Sequence, residues 1–220
     1  MMAILPALFV PGIGAYLAFV VFRDSSTAPF IFGASKIFLI AWPALWVFGV
    51  ERRSPRELLG SPRGVPHGLA LGAFFAFLIW LGWVLGLDTM LEEHRNSVML
   101  AVKNWGSQSN FWIWAIFMSL IHSTLEEWYW RGFVFTRLSE KIPAGAAVIV
   151  SSACFGIHHG VLYAVTLDAL SGAFLALAVA IAGAAWCLVY REEQTLWASW
   201  ISHVLADLAI FAIGAHFLFD

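Results

Sequence analysis

The chain has 220 residues, a formal net charge of −2, 61% apolar residues and only 12% charged ones. Soluble domains carry roughly 25% charged residues, and a chain this small cannot hide the surplus apolar surface in a core. The composition excludes a soluble globular domain. The absence of a basic stripe, zinc-finger spacing or Arg-rich tail excludes a nucleic-acid partner, and a lipid bilayer is the expected solvent.

A helical span needs roughly 20 apolar residues. Apolar stretches at 6–22, 31–50, 65–87, 111–125, 143–159, 171–190 and 196–219 predict an all-α polytopic membrane protein of about seven helices. The number rises to eight if 65–87 or 160–170 hides a re-entrant piece. The first stretch precedes its first arginine, Arg23, and lacks a basic leader, so it reads as a retained span rather than a cleaved signal. Segment 51–64 carries Arg52, Arg53, Arg56 and Arg63, and later loops on that side add Arg137, Lys141 and Arg191. The opposite loops hold Arg23, Arg95 and Lys103. The positive-inside rule then places the N-terminus in the cytoplasm, expected to be that of a bacterium, and the C-terminus outside.

Between 88 and 110, Glu92, Glu93, His94 and Arg95 read as a solvated face. Trp83, Trp105, Trp112, Trp197 and Trp200 near span ends suit an interfacial belt. Gly172, Ala176, Gly183 and Ala184 would let helices approach closely. Cys154 and Cys187 sit in separate apolar segments and read as packing residues, too few for a thiolate metal site. Lys36 is expected to snorkel to an interface, and His67, beside Pro66, to be interfacial.

Ionisable groups inside apolar spans are costly, so each needs a partner or a role. Glu127 and Arg131 are four apart and share a helix face, where they can pair. Glu126 points about 100° away, free to face a cavity. His122, one turn earlier, either hydrogen-bonds Glu126 or is a packed polar residue. His158 and His159 point to different faces, so they are not expected to act on one group. His203 and Asp207 share a face, with Ser199 one turn before. A base, a held carboxylate and histidines on later spans suit hydrolysis: a carboxylate with an imidazole takes a proton from water, and a second imidazole donates to the developing oxyanion. There is no His-Glu-x-x-His zinc-peptidase pattern, and Ser35 in Gly33-Ala34-Ser35 is only a weak serine setting. Two other uses of buried charges stay open, a non-catalytic immunity or binding protein and a transporter.

These residues resemble the CPBP family of intramembrane proteases, the group containing the type II CAAX prenyl endopeptidases and many bacterial Abi-type proteins. The first motif stands as Glu126-Glu127-Trp128-Tyr129-Trp130-Arg131-Gly132, the second as Phe155 with His159 four residues later, the third as His203 with Asp207. The resemblance covers about 120 to 210. It implies an intramembrane endopeptidase in which Glu126 and His159 activate water, Arg131 supports Glu127, and His203 with Asp207 forms the oxyanion side. Asp207 departs from the family's commoner asparagine. The resemblance divides the chain into variable N-terminal helices, 1–110, and a catalytic core, 111–220. The implied partner is a membrane-associated peptide or protein substrate. Both metalloprotease and metal-free glutamate mechanisms have been attached to the family; the expectation here is no cofactor, with a divalent metal such as zinc left open.

Overall fold

The computed structural model describes residues 2–52, 61–104 and 109–219. Arg53, Arg56 and Trp105, used above for orientation and for the aromatic belt, lie outside the described residues.

Among the described residues the structure is all-helical. Six helices are long and apolar enough to cross a membrane: α1 (Ile4–Val21), α2 (Ala28–Val50), α3 (Val65–Glu93), α6 (Ala144–Thr166), α7 (Ala169–Glu193) and α8 (Leu196–Phe219). Two more complete the set: α4 (Arg95–Asn104) and the helical run α5, residues 111–139. The protein is thus an all-α polytopic membrane protein. The stretch expected at 111–125 is longer and more polar than anticipated, because it carries Glu126, Glu127, Arg131 and Arg137 on one continuous helix.

One backbone irregularity has a direct cause in the sequence. Gly86 has φ 136°, a conformation open to glycine, and bends α3 between its apolar part and Asp88–Glu93. In α5 the turns widen to the i→i+5 pattern over Met118–His122 and Trp128–Phe135, as they do over Leu17–Val21 in α1, Leu45–Val50 in α2 and Trp83–Leu87 in α3. Side-chain hydroxyls bond the carbonyls of the α5 turns: Ser123 donates to Ser119, Thr124 to Leu120 (2.6 Å) and Thr136 to Arg131 (2.8 Å).

The most extensive helix contacts are α6 with α7 and α8 with α3. The first rests on small residues. A Cβ added at Gly172 would lie 2.5 Å from the Ala164 Cα, and one at Gly156 2.5 Å from the Ala176 carbonyl, so only hydrogens allow these backbones to meet. The core lies around α5, where Tyr129, Trp130, Phe133 and Val134 pack with Phe155, Trp186 and Cys187. Helix α1 is tied to this core by the Tyr129 hydroxyl, which donates to the Ala7 carbonyl at 2.7 Å.

Contacts between distant segments sort into two ends of the bundle. At one end Arg137 pairs with Glu51 (2.5 Å), Thr195 bonds the Ser61 carbonyl (3.0 Å) and His67 bonds Glu193. At the other, His94 approaches Asp168 (3.3 Å) and Trp83 packs on His216. Two expectations change here. His94 and Arg95 are not simply solvated, since His94 joins the α6–α7 turn and Arg95 pairs with Glu92 (2.7 Å) over the Phe217 ring. No re-entrant piece occupies 160–170, because α6 continues through Gly160 to Thr166.

Candidate active site

Four helices bring ionisable side chains to one buried place. Helix α5 contributes His122, Glu126, Glu127 and Arg131; α6 contributes His158 and His159; α8 contributes His203 and Asp207; and α2 contributes Lys36. Glu126 is 2% exposed. Its carboxylate oxygens lie 3.1 Å from His122 Nε2, 3.5 Å from His158 Nε2, 3.8 Å from His159 Nε2 and 3.9 Å from His203 Nε2.

The neighbouring carboxylate is held differently. Glu127 Oε1 accepts from Arg131 Nη1 at 2.8 Å and from His203 Nδ1 at 2.9 Å. The Arg131 guanidinium lies between the Phe155 and Trp186 rings, 4.6 and 4.9 Å from their centroids, and its Nη2 contacts the Gly183 carbonyl. Gly183 gives this group room, since a Cβ there would stand 3.0 Å from Phe155 and 3.3 Å from Arg131 Nη2. Glu127 and Arg131 thus form a fixed pair, while Glu126 faces imidazoles.

Hydrogen bonds set two ring tautomers. His159 Nδ1 is 3.0 Å from the Phe155 carbonyl, which can only accept, so Nδ1 carries a proton and in the neutral ring Nε2 turns its lone pair toward Glu126. The four-residue spacing of Phe155 and His159 therefore has a backbone purpose as well as a packing one. The rings also meet edge to face, 4.7 Å apart. His203 donates Nδ1–H to Glu127, stacks on Trp186 at 4.2 Å, and directs Nε2 toward Glu126 and Asp207, 3.7 Å from the latter's Oδ1.

The structure thus brings together all six residues singled out as catalytic: Glu126, Glu127, Arg131, His159, His203 and Asp207. It adds three that sequence reasoning placed elsewhere or left out. His158 and His159 do not serve different groups; they flank Glu126, each reaching a different oxygen of one carboxylate. His122 is not merely packed, for it lies on the Glu126 face one turn away. Lys36 does not snorkel: its Nζ is 3.4 Å from His122 Nε2. Ser35, the weak serine candidate, is buried and spends its hydroxyl on the Phe32 carbonyl (2.7 Å). Ser199 bonds the Leu196 carbonyl.

The helix boundaries also remove a misfit of register. If a span ended at His159, that ring would lie near one end of the bundle and His203 nearer the other. With α6 running on to Thr166, His159 sits well inside the helix and both rings reach Glu126.

The donor set suits a divalent metal. One ligand atom each from Glu126, His158 and His159 lie within 4.8 Å of one another, close to the spacing expected when zinc sits about 2.0–2.2 Å from each N or O ligand. Glu126 Oε1 lies 3.1 Å from His122 Nε2 and 3.5 Å from His158 Nε2 without an aligned hydrogen bond to either, which suits such a role. The absence of a familiar zinc spacing in the sequence is thus offset by a helix crossing that gathers the donors.

Residues 108–209, a little under half of the chain, match the family described as "Type II CAAX prenyl endopeptidase Rce1-like". No curated protein and no solved structure matches the chain.

Proposed function

Residues 108–209 belong to the Rce1-like, or CPBP, family, and from that premise we propose that the protein is an intramembrane endopeptidase. In this reading it hydrolyses a peptide bond of a membrane-associated peptide or protein tail with water activated by Glu126 and His159. The observation that carries it is a buried carboxylate reached by four imidazoles, beside a second carboxylate already committed to arginine.

The reaction follows from the atoms present. A water between Glu126 and His159 Nε2 gives a proton to one of them as its oxygen bonds the scissile carbonyl carbon. In its imidazolium form His203 keeps Nδ1–H on Glu127 and offers Nε2–H to the oxyanion, where a dry setting magnifies the help. The carbon–nitrogen bond then breaks, and the proton held by Glu126 or His159 passes to the leaving amine. Asp207 is placed to orient His203; as a carboxylate it cannot itself donate to an oxyanion. Should a divalent metal bind, Glu126, His158 and His159 would hold it, and it would supply Lewis-acid chemistry to the same carbonyl.

The proposed architecture has seven crossings, α5 being the seventh. The sorting of Glu51, Ser61, His67, Arg137, Glu193 and Thr195 to one end, with Trp83, His94, Asp168 and His216 at the other, supports that count. With the arginine-rich end inside, the N-terminus is cytoplasmic in a bacterial cytoplasmic membrane. We keep 111–220 as the catalytic core and 1–110 as the variable part that shapes access from the lipid. The test is a comparison of N- and C-terminal fragments of membrane proteins in cells carrying the wild type or Glu126→Gln. Loss of specific fragments with normal accumulation of the variant is expected. An unchanged biological effect without any difference in fragments would favour a non-catalytic binding or immunity role. Substrate flux across sealed vesicles that survives the substitution would point to a transporter.

A further inference from the structure

Lys36 lies in α2, outside the family-matched segment, yet its amine reaches the site. Its Nζ is 3.4 Å from His122 Nε2 and 5.1 Å from the Phe32 ring centroid. The same Nε2 is 3.1 Å from Glu126 Oε1. One ring nitrogen cannot both accept from Lys36 and donate to Glu126, so the three groups share a choice. The geometry favours one arrangement: the 3.4 Å Lys36–His122 contact is aligned as a hydrogen bond, whereas the 3.1 Å approach of His122 Nε2 to Glu126 Oε1 is not.

Helix α2 holds the lysine in that register. Gly14 of α1 admits Ser35, whose Cβ would be only 2.5 Å from a Cβ added at Gly14. Trp42 Nε1 donates to the Ala3 carbonyl at 2.9 Å, and α1 is in turn fixed to α5 through Tyr129 and Ala7. Lys36 therefore belongs to the frame that carries Glu126.

We propose that Lys36 is a positioning residue for Glu126: its amine donates to His122 Nε2, fixes the Nδ1–H tautomer of that imidazole, and so keeps His122 from capping Glu126 Oε1. A lone pair facing a carboxylate oxygen at 3.1 Å is unfavourable by itself. A cation 3.4 Å from that ring nitrogen offsets the repulsion, strongly so away from bulk water. The uncapped oxygen is then available to take a proton or to bind a metal. An Nε2–H turned toward it would make it a poorer base and a poorer ligand. The role rests on the proposed action of Glu126, but the tautomer itself does not.

The experiment is nitrogen NMR on the full chain in nanodiscs with 15N-labelled histidine, the His122 signal being identified by its loss in His122→Gln. The wild type is expected to show His122 protonated at Nδ1 only. Lys36→Met should move the proton to Nε2, and Lys36→Arg should keep the wild-type tautomer. Wild-type His122 protonated at Nε2, or a tautomer indifferent to Lys36→Met, would overturn the proposal; should that variant not accumulate, Lys36→Leu, which also lacks a donor and is expected to move the proton to Nε2, decides it in the same way. Once a cleaved peptide is known, Lys36→Met should lower kcat by about 10–100-fold, as loss of an outer partner typically does, with KM little changed and Lys36→Arg restoring most of it. Cleavage independent of Glu126 would refute the peptidase reading while leaving the tautomer result intact.

Discussion

Removing the Arg131 guanidinium with Arg131→Leu is the sharpest test of how the site is held. Both Glu127 and Arg131 side chains are 1% exposed, and their contact is 2.8 Å. Taking away one partner of a buried ion pair costs about 3–5 kcal/mol, because the remaining charge stays desolvated. Here Glu127 would keep only His203 Nδ1. Cys187, 1% exposed beside this pair, supplies a reporter. With Cys154 replaced by alanine, the rate of thiol labelling in detergent or nanodiscs follows the open population when reclosing is fast. At about 1.4 kcal/mol per decade, labelling should rise roughly a hundred- to several-thousand-fold. A local void beside Cys187 would raise the rate too, so the double variant Glu127→Leu with Arg131→Leu separates the causes. It retains any void but removes the orphaned charge, and replacing both ions by apolar groups is often nearly neutral. Labelling that stays within about threefold of wild type in Arg131→Leu, or a double variant as reactive as the single, would refute the view that Glu127 depends on this arginine.

Other sites yield shorter tests. Gly172→Val puts a branched side chain where a Cβ already meets the Ala164 Cα at 2.5 Å; forcing α6 from α7 should cost about 1–3 kcal/mol or more, read as a lower unfolding midpoint, whereas Gly145→Val, where the space is open, should have little effect. Tyr129→Phe removes the bond to the Ala7 carbonyl and should cost about 1–2 kcal/mol, measured by the same unfolding. Asp168, outside the spans, caps α7: hydrogen bonds from the Ser171 hydroxyl and amide, then from the Leu170 amide, lower its pKa. A lowered folded pKa means stabilisation present above the usual aspartate range near 4 and lost as pH falls through the folded value. In a His94→Gln background, which removes the neighbouring imidazole, Asp168→Asn should therefore be less stable than its parent at pH 7, with the gap closing below about pH 4.

Much of the site was legible because membrane chemistry is unforgiving. A carboxylate or imidazole in an apolar run has no cheap excuse, so Glu126, Glu127, Arg131, His159, His203 and Asp207 stand out from their surroundings before any fold is known. The Glu127–Arg131 pair needs only a four-residue spacing on one helix, and the structure has it at 2.8 Å. Close approach of α6 and α7 was readable in the same way, from Gly172, Ala176 and Gly183.

What escaped was information that no single segment contains. His158 and His159 diverge on a helical wheel, and the inference that they serve different groups would hold if their partner lay on one side. Glu126 instead projects between them from a crossing helix, so divergence becomes a pincer around one carboxylate. Lys36 misled for a related reason. Near the start of a span, a long amine is ordinarily drawn to water, and only the proximity of His122, 86 positions away in sequence, supplies a better partner. The register difficulty between His159 and His203 arose from ending a helix at its last charged residue; the polar histidines looked like a terminus, yet Val161, Leu162, Ala164 and Val165 carry the helix on to Thr166. In the last two cases the error came from treating a polar side chain as evidence of water. Within a bilayer protein the same side chain is better evidence of another polar group on a different helix, and the crossing that unites them is a property of packing rather than of any local pattern.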